Sequence, residues 1–248
     1  MIRISDKLLA LGREAEADLA AQFSRVDAIA MKNTQKVLSS FQKHRVAEGD
    51  FVGTTGYGYD DEGRDKLERI YTDIFGTKDA LVRLQFVNGT HAITAALFGC
   101  LRPGDTLVSA VGAPYDTLLG VIGVTDKGPG SWREYGVNYC EVPLLDNAPD
   151  KRCIAEAVKR PGVKAVLLQR SRGYATRASL PVETIGELCA VIREANPKVH
   201  ILVDNCYGEF VEELEPTQVG ADLVVGSLIK NPGGGLAPTW GYLAGRPD

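Results

Sequence analysis

Four stretches of the sequence place reactive residue types directly after short apolar runs. Lys230 follows the run 223–225 by way of Gly226-Ser227-Leu228-Ile229, and Asn231-Pro232-Gly233-Gly234-Gly235 comes after it. A lysine between an apolar strand and a glycine-rich loop is expected to lose solvent, which lowers its pKa and frees an amine for imine chemistry. Ser227, three residues earlier, offers a hydroxyl to a phosphate. Asp204 ends the run 201–203; a carboxylate there is partly desolvated and wants a cation, for which a protonated pyridine nitrogen would serve. Tyr115 comes after the run 106–110, where an aromatic ring could lie flat over a planar ligand. Asn88-Gly89-Thr90-His91-Ala92 follows the run 81–87 and opens a helix, so the N–H groups of Thr90, His91 and Ala92 would face an anion. Each stretch has a bland reading as well: an ordinary βα turn, a tyrosine capping the core, an N-cap aspartate, a snorkelling surface lysine. Their joint order, each at the end of its own strand, is what packing alone does not explain.

The elements that must position these residues are legible in the pattern. Apolar runs at 81–87, 106–110, 137–142, 165–169, 200–203, 223–225 and 241–244 predict strands, and helical periodicity falls over 64–75, 92–100, 115–120, 153–159 and 181–195. Alternating strands and helices predict an α/β fold with a mostly parallel sheet covered on both faces, where ligands sit at the carboxyl ends of the strands. Residues 5–45 predict one or two amphipathic helices, with Leu8, Leu11, Ala15, Leu19 and Phe23 on one stripe and Val26, Ile29, Val37 and Phe41 on another. Such an arm needs a surface to cover it, and a partner subunit is one candidate. Gly53, Gly56, Gly58 and Gly63 make 49–63 a loop with unusual backbone freedom. The expected organisation is thus an N-terminal helical arm and glycine-rich loop over 1–63, followed by one large domain over 64–248.

Composition narrows the function classes. With 248 residues, 44% hydrophobic and 24% charged, and a net charge of −4, the chain reads as a soluble globular protein. No basic stripe points to nucleic acid, and no apolar run is long enough to span a bilayer. The N-terminus carries no signal-peptide core, so the cytoplasm is the expected compartment. Five scattered cysteines without a C-x-x-C pair predict reduced thiols, and three distant histidines predict no metal site. The glycines at 233–235 follow the lysine instead of preceding it, so the order of a nucleotide-binding P-loop is absent.

The chain also resembles a known family through Gly-Tyr-Gly-Tyr-Asp-Asp-Glu-Gly-Arg-Asp (56–65), Asn-Gly-Thr-His-Ala (88–92), Ala-Pro-Tyr-Asp-Thr (113–117), Val-Asp-Asn-Cys-Tyr-Gly-Glu-Phe (203–210) and Ser-Leu-Ile-Lys-Asn-Pro-Gly-Gly-Gly (227–235). It is similar to fold-type I enzymes of the Cys/Met-metabolism group that use pyridoxal 5′-phosphate (PLP). Within that group it looks most like the methionine gamma-lyase-like proteins also labelled aluminium resistance proteins. The last two motifs are the most specific, and the likeness runs over nearly the whole chain.

The resemblance implies a three-layer large domain of the PLP-dependent transferase (aspartate aminotransferase-like) type. It implies that Lys230 forms the Schiff base and moves the substrate α-proton, and that Asp204 pairs with the pyridinium nitrogen. Tyr115 would stack on the ring, and Gly89, Thr90, His91 and Ser227 would cradle the phosphate. Gln169 or Arg170 would lie near the ring hydroxyl. Tyr57, Tyr59 and Arg64 would reach a neighbouring subunit's phosphate site, making a homodimer or homotetramer the active unit; their bland reading is packing of the arm and an Arg64–Glu68 helix pair. The implied activity is a carbon–sulfur lyase acting on a small sulfur amino acid. Other PLP chemistry (an aminotransferase or an aldolase-like reaction) and a truncated, non-catalytic homologue serving as a binding or assembly partner stay open. Proteins of the group continue past the lysine into a smaller C-terminal domain, whereas this sequence stops at Gly245-Arg246-Pro247-Asp248, so the chain is expected to lack that domain, either as a fragment or as a version without it.

Overall fold

A computed structural model describes residues 4–55, 57–125 and 129–247; Gly56 of the glycine-rich loop and the terminal Asp248 lie outside the described residues. The chain runs α1 (Asp6–Asp18), α2 (Ala20–Lys43), α3 (Glu62–Phe75), β1 (Asp79–Arg83), α4 (Gly89–Cys100), β2 (Thr106–Ser109), α5 (Asp116–Ile122), β3 (Asn138–Glu141), β4 (Leu144–Leu145), β5 (Ala148–Pro149), α6 (Lys151–Val158), β6 (Val163–Gln169), α7 (Val182–Ala195), β7 (His200–Asp204), β8 (Leu223–Ser227) and β9 (Gly241–Gly245).

Seven strands form one sheet in the order β1-β9-β8-β7-β6-β2-β3. β8, β7, β6, β2 and β3 pair in parallel, while β9 runs antiparallel to both β8 and β1. The register sets Gln169 beside Asp204 and Asp204 beside Val225, so the strand ends that carry the reactive residues lie along one edge. Strand periodicity divides the core between two faces. Val108, Val166, Leu168, Ile201, Val203 and Val224 point to the side covered by α3, α6, α7 and the end of α2. Leu107, Ala165, Leu167, Leu202 and Val225 point to the side covered by α4 and α5. The result is the expected three-layer α/β architecture.

Several boundaries differ from the sequence reading. β1 covers 79–83 in place of 81–87, because the backbone turns after Arg83 although the side chains stay apolar; Leu84 and Val87 are exposed. A hairpin of two-residue strands, β4 and β5, is an addition. Its turn is Asp146-Asn147, both at positive φ (49° and 61°), a conformation these two residue types tolerate.

The arm forms two helices, as the spacing predicts. Ser5 caps α1 by accepting from the Leu8 N–H at 3.4 Å. α1 buries no residue, and Leu8, Leu11, Leu19, Phe23 and Val26 are exposed. Val37 and Phe41, further along α2, pack on the core. Asn33 is buried and donates to the carbonyls of Phe210 and Glu212, 3.0 Å each, which ties the arm to the segment after β7. No described helix is long and apolar enough to cross a membrane. No group of three metal-ligating side chains gathers among the described residues.

Candidate active site at the carboxyl ends of the strands

The turn into α4 brings together groups that are far apart in sequence. Asn88 caps the helix, its side chain accepting from the His91 N–H at 2.8 Å, and the Ala92 N–H goes to the Asn88 carbonyl. Those two N–H groups are therefore spent on the cap, contrary to the sequence reading, which leaves Gly89 and Thr90 as the N–H groups of the first turn not taken by Asn88. The imidazole of His91 is exposed and meets Phe86 edge-on. A Cβ on Gly89 would sit 3.2 Å from Cβ of Ser227 and 3.3 Å from Sγ of Cys206. Glycine is needed there for close approach of α4 to the ends of β7 and β8.

Tyr115 caps α5 beside this turn. Its hydroxyl donates to Thr90 Oγ1 at 2.9 Å, and its N–H donates to Gln169 Oε1 at 2.8 Å. Burial raises the pKa of the phenol, so it stays protonated and available as a donor. Gln169 is itself fixed: its Nε2 donates to the Ser171 carbonyl, and its own carbonyl accepts from Arg177 at 2.7 Å. Arg177 is almost fully buried and spends its guanidinium on the carbonyls of Gln169, Ser171 and Ala178.

Asp204 is 3% exposed at the end of β7, and one of its oxygens accepts from the Cys206 N–H at 3.1 Å. Burial raises its pKa, opposed by that hydrogen bond and by the nearby Lys230 charge. A buried carboxylate in this state gains from a full cationic partner. Arg170 lies on the far side of the same strand end. It bonds Asn205, the Gly208 carbonyl (2.6 Å) and Glu212, with Glu215 at 3.6 Å, and so supports the backbone beyond Asp204. Arg170 therefore belongs to a structural network, and Gln169 is the one of the two that faces Tyr115.

Ser227 is fully buried between Gly89 and the Trp240 carbonyl, to which its hydroxyl donates at 3.4 Å. Lys230 is half-buried, with Nζ 4.4 Å from the centre of the Tyr207 ring. Burial alone would lower the pKa of this ammonium, but Cys206, Asp204 and Tyr207 outweigh it and hold the value above that of an ordinary lysine. The expected downward shift is thus reversed. The opposing groups stand at the end of β7 and just beyond it, which the sequence around Lys230 does not reveal.

Among the described residues, no hydrogen bond joins Tyr57, Tyr59 or Arg64 to this site. The two tyrosines stack on each other at 5.8 Å and are 83% and 77% exposed. Arg64 donates to the Gly58 carbonyl, and the Arg64–Glu68 pair does not form: Glu68 is taken by Arg83 and by the Val82 N–H. Arg64 lines a cavity of about 710 Å³ between the end of α2, α3 and the end of β1, closed on one side by Trp240.

The residues that the sequence singled out are therefore of two kinds. Gly89, Thr90, Tyr115, Gln169, Asp204, Ser227 and Lys230 converge on one edge of the sheet; Tyr57, Tyr59 and Arg64 lie apart. Cys206, Tyr207 and Arg177 also belong to the edge. Cys206 and Tyr207 sat inside a quoted motif, but only the fold turns them toward Lys230.

A parallel sheet with one antiparallel strand, carrying a lysine, a buried acid and a glycine-opened helix at its carboxyl edge, has clear relatives. The family model described as Methionine gamma-lyase matches residues 8–248. The Bacillus subtilis (strain 168) protein YnbB is 50% identical over 235 residues, which is 94% of this chain and 56% of that protein. A Clostridium acetobutylicum crystal structure, named for involvement in aluminum resistance, superposes with a TM-score of 0.95 at 51% identity and covers 98% of this chain and 58% of its own. A Clostridium novyi NT structure named as a carbon-sulfur lyase involved in aluminum resistance gives 0.94 at 46% identity, covering 98% and 58%. The chain belongs to the methionine gamma-lyase family. It spans somewhat more than half the length of these relatives. An Escherichia coli PLP-dependent protein, YhfS, shares the fold at 20% identity and a TM-score of 0.65, over 88% of this chain and 55% of its own.

Proposed function

We propose that this chain carries the PLP site of a carbon–sulfur lyase acting on a small sulfur amino acid. The observation behind the proposal is the convergence of Lys230, buried Asp204 and the Gly89–Ser227 contact at one sheet edge. The residues fit the cofactor on chemical grounds. Gly89 and Thr90 supply free N–H groups at the start of a twelve-residue helix, beside the Ser227 hydroxyl, which suits a phosphate. Asp204 supplies the buried anion that a ring nitrogen in its protonated form would neutralise. Lys230 supplies the primary amine that an aldehyde requires.

When bound, PLP provides an electron sink for the pair released at the substrate α-carbon. The protein's part is then proton handling and orientation. Lys230 anchors the aldehyde and afterwards moves the proton at the substrate Cα. Asp204 keeps the ring nitrogen protonated, and neutralising Asp204 removes one of the charges that hold up the Lys230 pKa. Tyr115, fixed by Thr90 and Gln169, lies beside the phosphate cradle and orients the ring. Elimination would yield a thiol, ammonia and a 2-oxo acid.

Residues 64–248 form the cofactor domain in this reading, and 1–63 serve as an arm toward a second copy. The exposed Tyr57–Tyr59 pair and Arg64, which lie apart from the sheet-edge site, are its contribution to a neighbouring subunit in a homodimer or homotetramer. The five free cysteines suit the cytoplasm.

The test is spectroscopic and then chemical. Adding PLP to the purified protein should produce the visible band of a lysine-bound cofactor, and Lys230→Ala should remove it. Cystathionine, methionine and cysteine are then assayed for release of thiol and ammonia, against amino transfer to a keto acid. Absence of a band in the unaltered protein would sink the proposal.

A further inference from the structure

Tyr207 has no part in the reading above, yet its backbone and its ring are both unusual. Its φ is +67°, in the left-handed region that a bulky side chain seldom occupies. Sparsely populated backbone of this kind persists where the surroundings over-determine it, and it gathers at functional sites. Here the surroundings are plain. Asp204 is pinned in β7, the Asn205 N–H is bonded to the Val225 carbonyl, and the Gly208 N–H is bonded to the Asn205 carbonyl. Gly208 lies close against Arg170, which bonds its carbonyl. The chain between these anchors must reverse at Tyr207. The reversal leaves the Tyr207 ring 62% exposed on one side, with the Lys230 ammonium 4.4 Å from its centre on the other. A phenol could have been buried at this rim, but instead its face is turned to the cation.

We propose that Tyr207 is a positioning residue for the Lys230 amine: its ring face holds Nζ, in the charged form, beside Asp204 and Cys206 at the carboxyl edge of the sheet. The inference rests on Lys230 being the cofactor-anchoring amine, and it assigns that amine a place to rest whenever it is free of the aldehyde. The charged and titratable groups that face Nζ are Cys206, Asp204 and Tyr207, from the end of β7 and the residues just after it. Cys206 and Asp204 are held by burial and by the strand, so Tyr207 is the one whose ring can be removed without opening the core. A cation over an aromatic face gains only at the charged state. Removing the ring should therefore make the neutral amine available at lower pH.

Labelling that needs no cofactor provides the test. The rate at which Lys230 is acylated by acetic anhydride is measured against pH, with the peptide containing Lys230 quantified by mass spectrometry. Tyr207→Leu should move the midpoint to lower pH and raise the rate near neutrality roughly two- to five-fold. Tyr207→Phe keeps a ring face and should track the unaltered protein. Tyr207→Gly removes the ring and also relieves the backbone. It should show the same shift as Tyr207→Leu while unfolding at no lower a temperature than the parent, which separates the ring's effect from damage to the fold. The proposal is overturned if the leucine and glycine variants keep the parental midpoint, or if the phenylalanine variant shifts as far as they do. Addition of PLP to the same samples keeps the two readings apart. A parental protein with no visible band but a ring-dependent midpoint would refute the cofactor assignment alone. A band with a ring-independent midpoint would refute the role of Tyr207 alone.

Discussion

The segment 204–215 and the start of the N-terminal arm are held in opposite ways. In the first, Glu215 and Asn205 are fully buried, and each carboxylate or amide has a partner: Arg170 with Glu212 and Glu215, Asn205 with Glu215, and the Phe210 N–H with Glu215. In the second, α1 buries nothing and its apolar stripe faces outward. A short amphipathic helix has little stability of its own and relies on a packing surface. The site-bearing segment therefore draws its order from within the chain, and the arm must draw it from elsewhere. Where the two meet, at Asn33, the arm becomes ordered by the site-bearing segment.

The contrast can be tested by perturbing each side. Arg170→Met should have the largest effect, because it removes the guanidinium that pairs with the fully buried Glu215 and with Glu212; the expected loss is about 3–5 kcal/mol in urea unfolding. Glu209 comes next. It is fully buried, one oxygen accepts from Tyr242 at 2.9 Å, the other has no partner, and burial raises its pKa to about 8. Between its unfolded value of 4.5 and about 8 the folded state keeps a proton that the unfolded state has released. Its contribution to stability is therefore complete below the unfolded value and is lost as pH rises through that window, with little further change above it. Relative to Glu209→Gln, the parent should lose about 1.4 kcal/mol per pH unit there. A constant difference between the two proteins across those pH values would contradict the assignment.

Asn33→Ala cuts both bonds between arm and segment and leaves two carbonyls short of a donor, for an expected loss of about 1–3 kcal/mol. Leu11→Ser should be the mildest, within about 0.5 kcal/mol in dilute monomer, because that side chain is exposed. The same variant should weaken self-association in sedimentation experiments if a second copy covers the stripe. A large destabilisation of the monomer would instead mean that the arm packs on its own body.

Much of the edge was legible because its chemistry stands next to strong local signals. Asp204 and Lys230 each follow an apolar β-branched run, and Gly89 stands where a strand gives way to a helical pattern. All seven strands of the main sheet were readable for the same reason. The end of β1 was not: Leu84 and Val87 continue the apolar run past the point where the backbone turns, and hydrophobicity alone does not distinguish a buried apolar residue from an exposed one. The β4–β5 hairpin left one usable sign, the Asp146-Asn147 pair, too short to stand out. Tyr207, Glu209 and Arg177 sit in irregular stretches with no periodicity, so their roles exist only once β6, β7 and β8 lie side by side. The direction of the Lys230 shift was hidden for the same reason, since it is set by residues more than twenty positions earlier.

One consequence of the sheet order concerns how the protein is made. Among the described residues β1 pairs with β9 alone, so Asp79 finds its partner in Gly245 and Arg83 finds its partner in Gly241. During synthesis, residues 79–83 must wait, unpaired, while every parallel strand is produced. Contacts so distant in sequence are slow to form. An unpaired edge is also open to pairing with another chain. β1 is thus the strand most dependent on protection before β9 emerges, and arrest of translation before residue 241 would leave its edge open.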